Sequence, residues 1–264
     1  MKKQKILLFA SNSEICRDLI PKLIEKGNDI YCFQRADFKH QSSKERNKSI
    51  KYIFLNDETN IKKAKFNKLF KEWDIALFFY GDFGTIGKFH KVKYMDWEKS
   101  FKTNFFMISK ILHRLIYFSE GKKMRSIINF SGSGTNGPAD NYSSYTISKI
   151  ALIKLTELID SEYKNIKIST LGPGWYDSKL HNKTLKLSKQ SGKNYQKTLH
   201  NIKITNNESA SIRIYKFIEW FISSKKTLVS GRNFSLVHDK WGNKNLDKKL
   251  INRDYYKLRR YDNT

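Results

Sequence analysis

The hydrophobic pattern of the chain alternates between short apolar runs and longer stretches with apolar residues every three or four positions. The run Lys5 to Ala10 is almost continuously apolar, which is typical of a strand buried on both faces of a parallel sheet. Glu14 to Lys26 then spaces its apolar residues near a 3.6-residue period, which predicts a helix that ends before Gly27. The chain therefore opens with a strand followed by a helix.

The same alternation continues toward the end of the chain. Further strands are predicted at Asp29–Gln34, Tyr52–Leu55, Asp74–Phe79, Ile127–Phe130, Ile166–Leu171 and Asn233–Val237. Further helices are predicted at Ile61–Lys71, Trp97–Phe118, Ser144–Tyr163 and Glu208–Ile222. Strands and helices at this spacing form right-handed βαβ units, so the expected fold class is α/β. We predict a Rossmann-type doubly wound parallel sheet of about seven strands with helices on both faces.

Length and composition limit the possible classes of protein. The 264 residues suit a single α/β domain, predicted over residues 1–242, followed by a charged C-terminal tail over residues 243–264. No apolar run reaches the roughly 20 residues of a membrane span, and the first one is too short for a signal-peptide core, so a cytoplasmic protein is expected. Cys16 and Cys32 lack metal-ligand spacing, and no metal site is predicted.

The formal net charge of +26 is the most unusual property of the composition. The lysines are scattered over every segment, and no motif of a known nucleic-acid-binding domain is present. This pattern indicates a solvated basic surface with some attraction for phosphorylated ligands, and no specific nucleic-acid partner is expected.

Candidate chemistry centres on Tyr145 and Lys149, which follow a buried strand and a loop of small residues. Residues four apart lie on the same face of a helix, so the phenol and the ammonium can point into one cleft. An ammonium favours the phenolate, and Lys149 is therefore expected to lower the pKa of Tyr145. A tyrosine tuned in this way can exchange a proton with an alcohol or carbonyl oxygen. Ser131 and Ser133, at the exit of the strand, can donate hydrogen bonds to the same oxygen.

The order of buried strand, Ser/Gly loop, Tyr-x-x-x-Lys and apolar helix resembles the short-chain dehydrogenase/reductase family. The resemblance implies that Tyr145 is the acid/base, that Lys149 lowers its pKa and holds the nicotinamide ribose, and that Asn104 anchors a proton-relay water. The position of the family's serine holds Gly132, flanked by Ser131 and Ser133. Ser131 is slightly favoured because it lies at the end of the strand, and Ser133 stays a candidate.

The first βα turn departs from the family's pattern Thr-Gly-x-x-x-Gly-x-Gly. The three glycine positions fall on Ala10, Glu14 and Cys16, and Glu14 adds a negative charge where the cofactor phosphates are expected. Hydroxyl, amide and backbone groups of this turn are nevertheless the expected phosphate donors. The cofactor-binding residues predicted here are Ala10, Ser11, Asn12, Ser13 and Ile15.

Three other segments resemble cofactor-side motifs of the family. Arg35, at the end of the second strand, suits the 2′-phosphate of NADP(H), which is expected in preference to NAD(H). Gly81 stands in the Asn-Asn-Ala-Gly position, and Asp57 resembles the acid near the adenine. The turn beside the nicotinamide contributes Pro173, Gly174, Trp175 and Ser178, in addition to the ribose contacts of Tyr145 and Lys149. Residues 176–207 are expected to form a polar, poorly periodic substrate lid.

The sequence therefore predicts an NAD(P)-dependent oxidoreductase that interconverts a carbonyl and an alcohol on a small polar substrate of anionic or sugar-like character. Family members usually form homodimers or homotetramers, and the same is expected here. One alternative is a non-catalytic scaffold that has lost the dinucleotide, as the missing glycines suggest. Another is nucleic-acid binding, which rests on charge alone.

Overall fold

A seven-stranded parallel sheet forms the centre of the computed structural model, which describes residues 3–35, 48–55, 66–119, 121, 123–132, 134, 136–251 and 254–260. The strand order is β3-β2-β1-β4-β5-β6-β7. The strands are β1 Lys5–Phe9, β2 Asp29–Gln34, β3 Ile50–Phe54, β4 Ile75–Phe78, β5 Arg125–Phe130, β6 Ile166–Gly172 and β7 Arg232–Ser235. The predicted α/β fold class is confirmed.

Helices cover both faces of this sheet. They are α1 Glu14–Glu25, α2 Asn67–Glu72, α3 Tyr94–Phe101, α4 Met107–Tyr117, α5 Ser143–Glu162, α6 Asn182–Lys186, α7 Ser188–Ser191, α8 Lys193–Ile204, α9 Asn207–Ser223, α10 Lys226–Val229 and α11 Lys244–Leu250. The predicted helix Ile61–Lys71 lies partly outside the described residues, which show only α2 in that region.

Alternating strand residues divide the interior into two apolar cores. Ile6 and Leu8 face the side covered by α1 and α9, whereas Leu7 and Phe9 face the side covered by α4 and α5. Both sets are almost fully buried, as expected for strands that pack against helices on two faces. The sheet therefore holds α5, with Tyr145 and Lys149 near its start, at a fixed position against β5 and β6.

The order of the strands reverses beside β1, which pairs with β2 on one side and with β4 on the other. In open α/β sheets, ligands bind beyond the carboxyl ends of the strands at such a switch point. The loops after β1, β4, β5 and β6 all emerge at this edge. The sequence segments predicted to carry chemistry are therefore brought to one side of the molecule.

The long helix predicted at Trp97–Phe118 is interrupted. A π-helical turn over Lys102–Phe106 separates α3 from α4, and Asn104 lies in its centre. Such turns are rare and occur frequently at functional sites.

The lid region differs from the prediction. Residues 176–207 were expected to be polar and poorly periodic, but the structure folds most of this segment into α6, α7 and α8. Their buried side chains are small and polar, namely Thr184, Ser191 and Thr198. A helix that buries hydroxyls in place of aliphatic side chains gives no strong hydrophobic period, which explains why the sequence pattern missed it.

Part of the C-terminal segment packs on the domain. Leu250 of α11 is fully buried in the core beside α9, and the backbone N–H of Asn233 in β7 donates to the carbonyl of Tyr256 at 2.8 Å. Separately, among the helices that the structure describes, none combines the length and apolar character needed to cross a membrane.

Candidate active site

Tyr145 and Lys149 lie in the first two turns of α5, on the face directed toward the sheet. Both are buried, and the Lys149 Nζ lies 5.7 Å from the centre of the Tyr145 ring. The ammonium donates hydrogen bonds to the carbonyls of Tyr80 at 2.7 Å and Phe130 at 2.8 Å, at the ends of β4 and β5. Lys149 thus ties two neighbouring strand ends to the helix that carries Tyr145.

In this conformation burial dominates the pKa of Tyr145, and the lowering expected from the charge of Lys149 stays a prediction. Burial raises the pKa of Tyr145 above its ordinary value, and burial lowers the pKa of Lys149 to about 7. The amine is directed at two carbonyls, and a lysine that is half neutral near pH 7 offers little charge to favour a phenolate. Tyr145 is consequently a neutral phenol at neutral pH.

The Tyr145 ring is held between a loop glycine and an aromatic side chain. The Phe83 ring meets it edge to face at 5.0 Å, and Phe83 contacts Tyr142 in the same way at 5.1 Å. On the other side, a Cβ placed on Gly132 would lie 2.4 Å from the Tyr145 hydroxyl oxygen. The position expected to hold the family's serine is therefore immediately beside the phenol, but only glycine fits there with the ring in this place.

Of the two candidate serines, the structure describes Ser131. The Ser131 backbone N–H donates to the carbonyl of Leu171 at 2.9 Å, and its hydroxyl oxygen lies 3.4 Å from where a Cβ on Gly172 would stand. Ser131 is thus buried where β5 and β6 end. Ser133 lies outside the described residues.

Asn104 is fully buried, and its side chain fixes the loop after β4. Its amide oxygen accepts from the Asp82 backbone N–H at 2.9 Å, and its amide nitrogen donates to the Asp82 carbonyl at 2.7 Å. The next residue in that loop is Phe83, which packs on Tyr145. Asn104 therefore acts on the position of Phe83, and its predicted role in binding a water stays a prediction.

The first βα turn combines a strained residue with a capped helix. Ala10 adopts a φ of +57°, a left-handed conformation that favours glycine. Ser13 is the N-cap of α1, and its hydroxyl accepts from the Cys16 backbone N–H at 3.2 Å. Ser11 is buried, and Ile15 packs at the edge of the core. The turn thus has a left-handed residue at a position where the family's sequence pattern has glycine, although its own glycines are absent.

This strain leads to a stability prediction. Replacing Ala10 with glycine is expected to raise the free energy of unfolding by about 0.5 to 1 kcal/mol, because relief of the left-handed conformation exceeds the entropy that glycine loses. Chemical denaturation of both proteins measures the difference.

Ala151→Gly, inside α5, is the matched control and is expected to lower stability by about 1 kcal/mol. Equal destabilisation by both changes would mean that Ala10 carries no strain.

The end of β2 provides an exposed cation and a buried amide. Arg35 is exposed, and its charge acts on nearby Tyr80, opposing the rise in the Tyr80 pKa that burial causes. Gln34 is buried, and its side-chain oxygen has no hydrogen-bond partner within the described part of the chain. Gly81 is exposed in the loop after β4, where a Cβ would lie 3.8 Å from Leu180. Asp57 lies outside the described residues.

The turn after β6 connects the edge of the sheet to the lid. Pro173 leads into Gly174, which adopts a φ of +79°. The Trp175 ring stacks on His181 of the lid at 3.8 Å, and burial lowers the pKa of His181 to about 4. The Tyr176 hydroxyl donates to the Asp18 carboxylate on α1. Ser178 directly precedes the short 3₁₀ turn near the start of the lid.

Several residues around Tyr145 were missed by the sequence reasoning. Phe83, Ile86 and Tyr142 form a small apolar cluster with Tyr145, against which Leu180 and Leu187 pack. The lid is tied to this cluster by a hydrogen bond of 2.7 Å between the hydroxyls of Tyr142 and Thr184, and by an ion pair of 3.7 Å between Lys183 and Asp82. Phe83 and Ile86 are apolar residues in a loop, and this apolar character is the signal in the sequence that could have indicated their burial.

The described residues contain no group of three or more His, Cys, Asp or Glu side chains arranged to hold a metal ion.

Comparison with solved structures shows the same fold in several proteins. Aldohexose dehydrogenase from Thermoplasma acidophilum, in ligand-free form, is 17% identical over 89% of this chain and 92% of its own, with a TM-score of 0.69. A short chain dehydrogenase/reductase from Saccharomyces cerevisiae is 16% identical over 92% and 98%, with a TM-score of 0.72. ElxO with NADP bound is 17% identical over 89% and 97%, with a TM-score of 0.72.

At the level of sequence, no curated protein matches the chain. The sequence profile of the short chain dehydrogenase family, however, matches residues 4–188, which is well over half of the chain and includes β1 through α5 and the start of the lid. Together with the sheet order and the Tyr145–Lys149 pair on α5, this match identifies the family: the chain belongs to the short chain dehydrogenases.

Proposed function

We propose that this protein is an NAD(P)-dependent oxidoreductase that interconverts a carbonyl and an alcohol, with Tyr145 as the acid/base. Family membership supports an oxidoreductase. The single observation that carries the finer proposal is the pairing of Tyr145 and Lys149 on one face of α5, at the edge of the sheet where ligands bind.

Tyr145 is in the protonated state that reduction of a carbonyl requires. Because burial raises its pKa, Tyr145 keeps its proton at neutral pH and can donate it to a carbonyl oxygen as that oxygen gains negative charge. Lys149 positions the phenol, because its amine donates hydrogen bonds to backbone carbonyls at the ends of β4 and β5 and so holds α5 against them. When Lys149 is protonated, below about pH 7, its charge also stabilises the phenolate left behind. Ser131 is the candidate donor to the substrate oxygen, and Ser133 stays beside it as predicted.

The residues at the first βα turn fit a dinucleotide. Ala10 holds the left-handed backbone that the glycine-rich turn requires, and α1 directs its N-terminal N–H groups at the loop. The buried side-chain oxygen of Gln34 lacks a partner within the described residues and suits a ribose hydroxyl. We assign the pyrophosphate to Ser11, Asn12 and Ser13 and their backbone, and the nicotinamide to Pro173, Gly174, Trp175 and Ser178. When bound, the dinucleotide supplies or accepts the hydride.

NADP(H) is the proposed cofactor, because Arg35 is exposed at the end of β2 and can pair with a 2′-phosphate. Among the similar structures, ElxO is described with NADP bound, and a tyrosine-to-phenylalanine variant of it with NADPH bound. The substrate was expected to be small and polar, with anionic or sugar-like character. The side chains packed around Tyr145 are Phe83, Ile86, Tyr142, Leu180 and Leu187, so we propose that the carbonyl carries an apolar or aromatic group on this side.

Titration of the purified protein with NADPH and with NADH, followed by fluorescence, tests this function. We expect NADPH to bind at least about tenfold more tightly than NADH, because one additional charged pair with Arg35 forms. NADPH oxidation should then depend on an added aromatic ketone or aldehyde. Absence of binding at millimolar cofactor would contradict the proposal and favour the alternative of a non-catalytic scaffold.

A further inference from the structure

Lys179, near the start of the lid, reaches across to the first βα turn. Its Nζ lies 3.4 Å from the backbone carbonyl of Asn12, although the two residues are 167 positions apart in the chain. Lys179 is exposed, and it follows Ser178 at the start of the short 3₁₀ turn Lys179–His181. The lid therefore places a cation beside the turn to which a dinucleotide pyrophosphate is assigned above.

The turn itself has a charge that opposes such a ligand. Glu14 begins α1, and its carboxylate pairs with Arg17 at 3.4 Å. Carboxylates stabilise helix N-termini by interacting with the same partial positive charge that binds phosphate, so Glu14 competes with an anionic ligand. The Lys179 ammonium near Asn12 restores the positive potential that the Glu14 carboxylate removes.

A second observation points to a ligand at this place. Ser11 is 2% exposed, and its hydroxyl lies beside the Cys32 thiol, a weak acceptor, without reaching an oxygen or nitrogen partner in the described part of the chain. Buried hydroxyls normally have a strong hydrogen-bond partner. Trp175, which stacks on His181 of the same 3₁₀ turn, likewise has a buried indole N–H without a partner among those residues. The turn therefore carries one buried hydroxyl without a strong acceptor, and the segment that brings Lys179 to the turn carries one indole N–H without a partner among the described residues.

We propose that Lys179 is part of the dinucleotide site and pairs with the pyrophosphate from the lid side, in place of contacts that the missing glycines would allow. This inference rests on the proposed function, since it needs a bound dinucleotide. Because Lys179 leads through His181 into α6, the same contact couples the position of the lid to cofactor binding. The cofactor then contributes to holding the lid over the cluster around Tyr145.

Equilibrium binding of NADPH to the full-length protein tests this role. Lys179→Gln is expected to weaken NADPH binding about tenfold or more, as expected for the loss of one charge-assisted contact. The variant should also show a smaller loss of affinity than the wild type between low and high salt. Lys186→Gln is the matched control, because Lys186 is an exposed lysine of the same lid, on α6; its affinity should stay within about twofold of the wild type.

Adenosine 2′-monophosphate identifies the phosphate involved, since it keeps the 2′-phosphate and lacks the pyrophosphate. Its affinity, measured by competition, should be the same for wild type and Lys179→Gln. Equal NADPH affinity in the wild type and Lys179→Gln would overturn the role of Lys179 and leave the proposed function intact. Weakened binding of adenosine 2′-monophosphate would overturn the assignment to the pyrophosphate. Failure of the wild type to bind NADPH would overturn the proposed function itself.

Discussion

Replacing Tyr145 with phenylalanine is expected to lower the rate of carbonyl reduction by about 10³-fold, while NADPH affinity falls by about tenfold at most through loss of the expected ribose contact. The ring would still pack edge to face on Phe83 and against Gly132, so the change removes the proton donor and little else. Steady-state kinetics with a ketone substrate, combined with a fluorescence titration of NADPH, measures both quantities. A fall in rate much larger than the fall in cofactor affinity assigns the hydroxyl to the chemical step.

Tyr142→Phe is the control for this experiment. Tyr142 belongs to the same apolar cluster and also packs on Phe83, but its hydroxyl is bonded to Thr184 of the lid. Its loss should change the rate by about tenfold at most, through the position of the lid. If Tyr145→Phe turned over substrate at the wild-type rate, or Tyr142→Phe lost as much as Tyr145→Phe, the proton donor would have to be sought elsewhere.

The second large effect is expected for Lys149→Met. Removal of the amine leaves the carbonyls of Tyr80 and Phe130 without the hydrogen bonds that they accept in the interior, which is expected to lower the free energy of unfolding by about 2 kcal/mol at pH 8. It also frees the two strand ends on which the geometry around Tyr145 depends, so turnover should fall by about 100-fold. Denaturation curves and kinetics on the same preparation measure the two effects.

The pH dependence of stability provides an independent test of the burial of Lys149. Its pKa in the folded protein is about 7, against 10.5 for an ordinary lysine. Between these two pH values the unfolded chain binds a proton that the folded protein lacks, so this residue makes stability rise with pH across that window. The wild type should therefore gain stability relative to Lys149→Met from about pH 7 upward.

Lys167→Met is the matched control for Lys149→Met. Lys167 is also a buried lysine that donates to two carbonyls, those of Ile222 and Ser224, and burial lowers its pKa to about 8. It lies near the end of α9, and its loss should lower stability without changing turnover per folded molecule. If both variants lost turnover equally, the effect of Lys149 would be one of folding alone.

Much of the fold could be predicted from sequence because the strands β1, β2, β4, β5 and β6 are short apolar runs with helical periods between them. That pattern is local, so it can be read without knowledge of contacts. The pairing of Tyr145 with Lys149 was equally accessible, since it depends only on the spacing of residues along one helix. What the two side chains do to each other was not accessible, because it depends on burial and on where the amine of Lys149 is directed.

The side chains that line the site could likewise not be predicted from the sequence. Phe83 lies in a loop, and its contact with Tyr145 depends on Asn104, which holds the preceding residue from a π turn in another segment. Lys179 and Asn12 meet although 167 positions separate them in the chain. Contacts of this kind are set by the topology of the sheet edge and leave no periodic trace in the sequence.

The two roles of Lys149 bear on how members of this lineage should be compared. An amine that joins the ends of β4 and β5 is under selection for folding even in a descendant that no longer turns over substrate. The hydroxyl of Tyr145 is not needed for packing, because a phenylalanine would pack against Phe83 equally well. Under the proposed function, a relative that kept the lysine and exchanged this tyrosine would have retained the architecture and lost the proton donor.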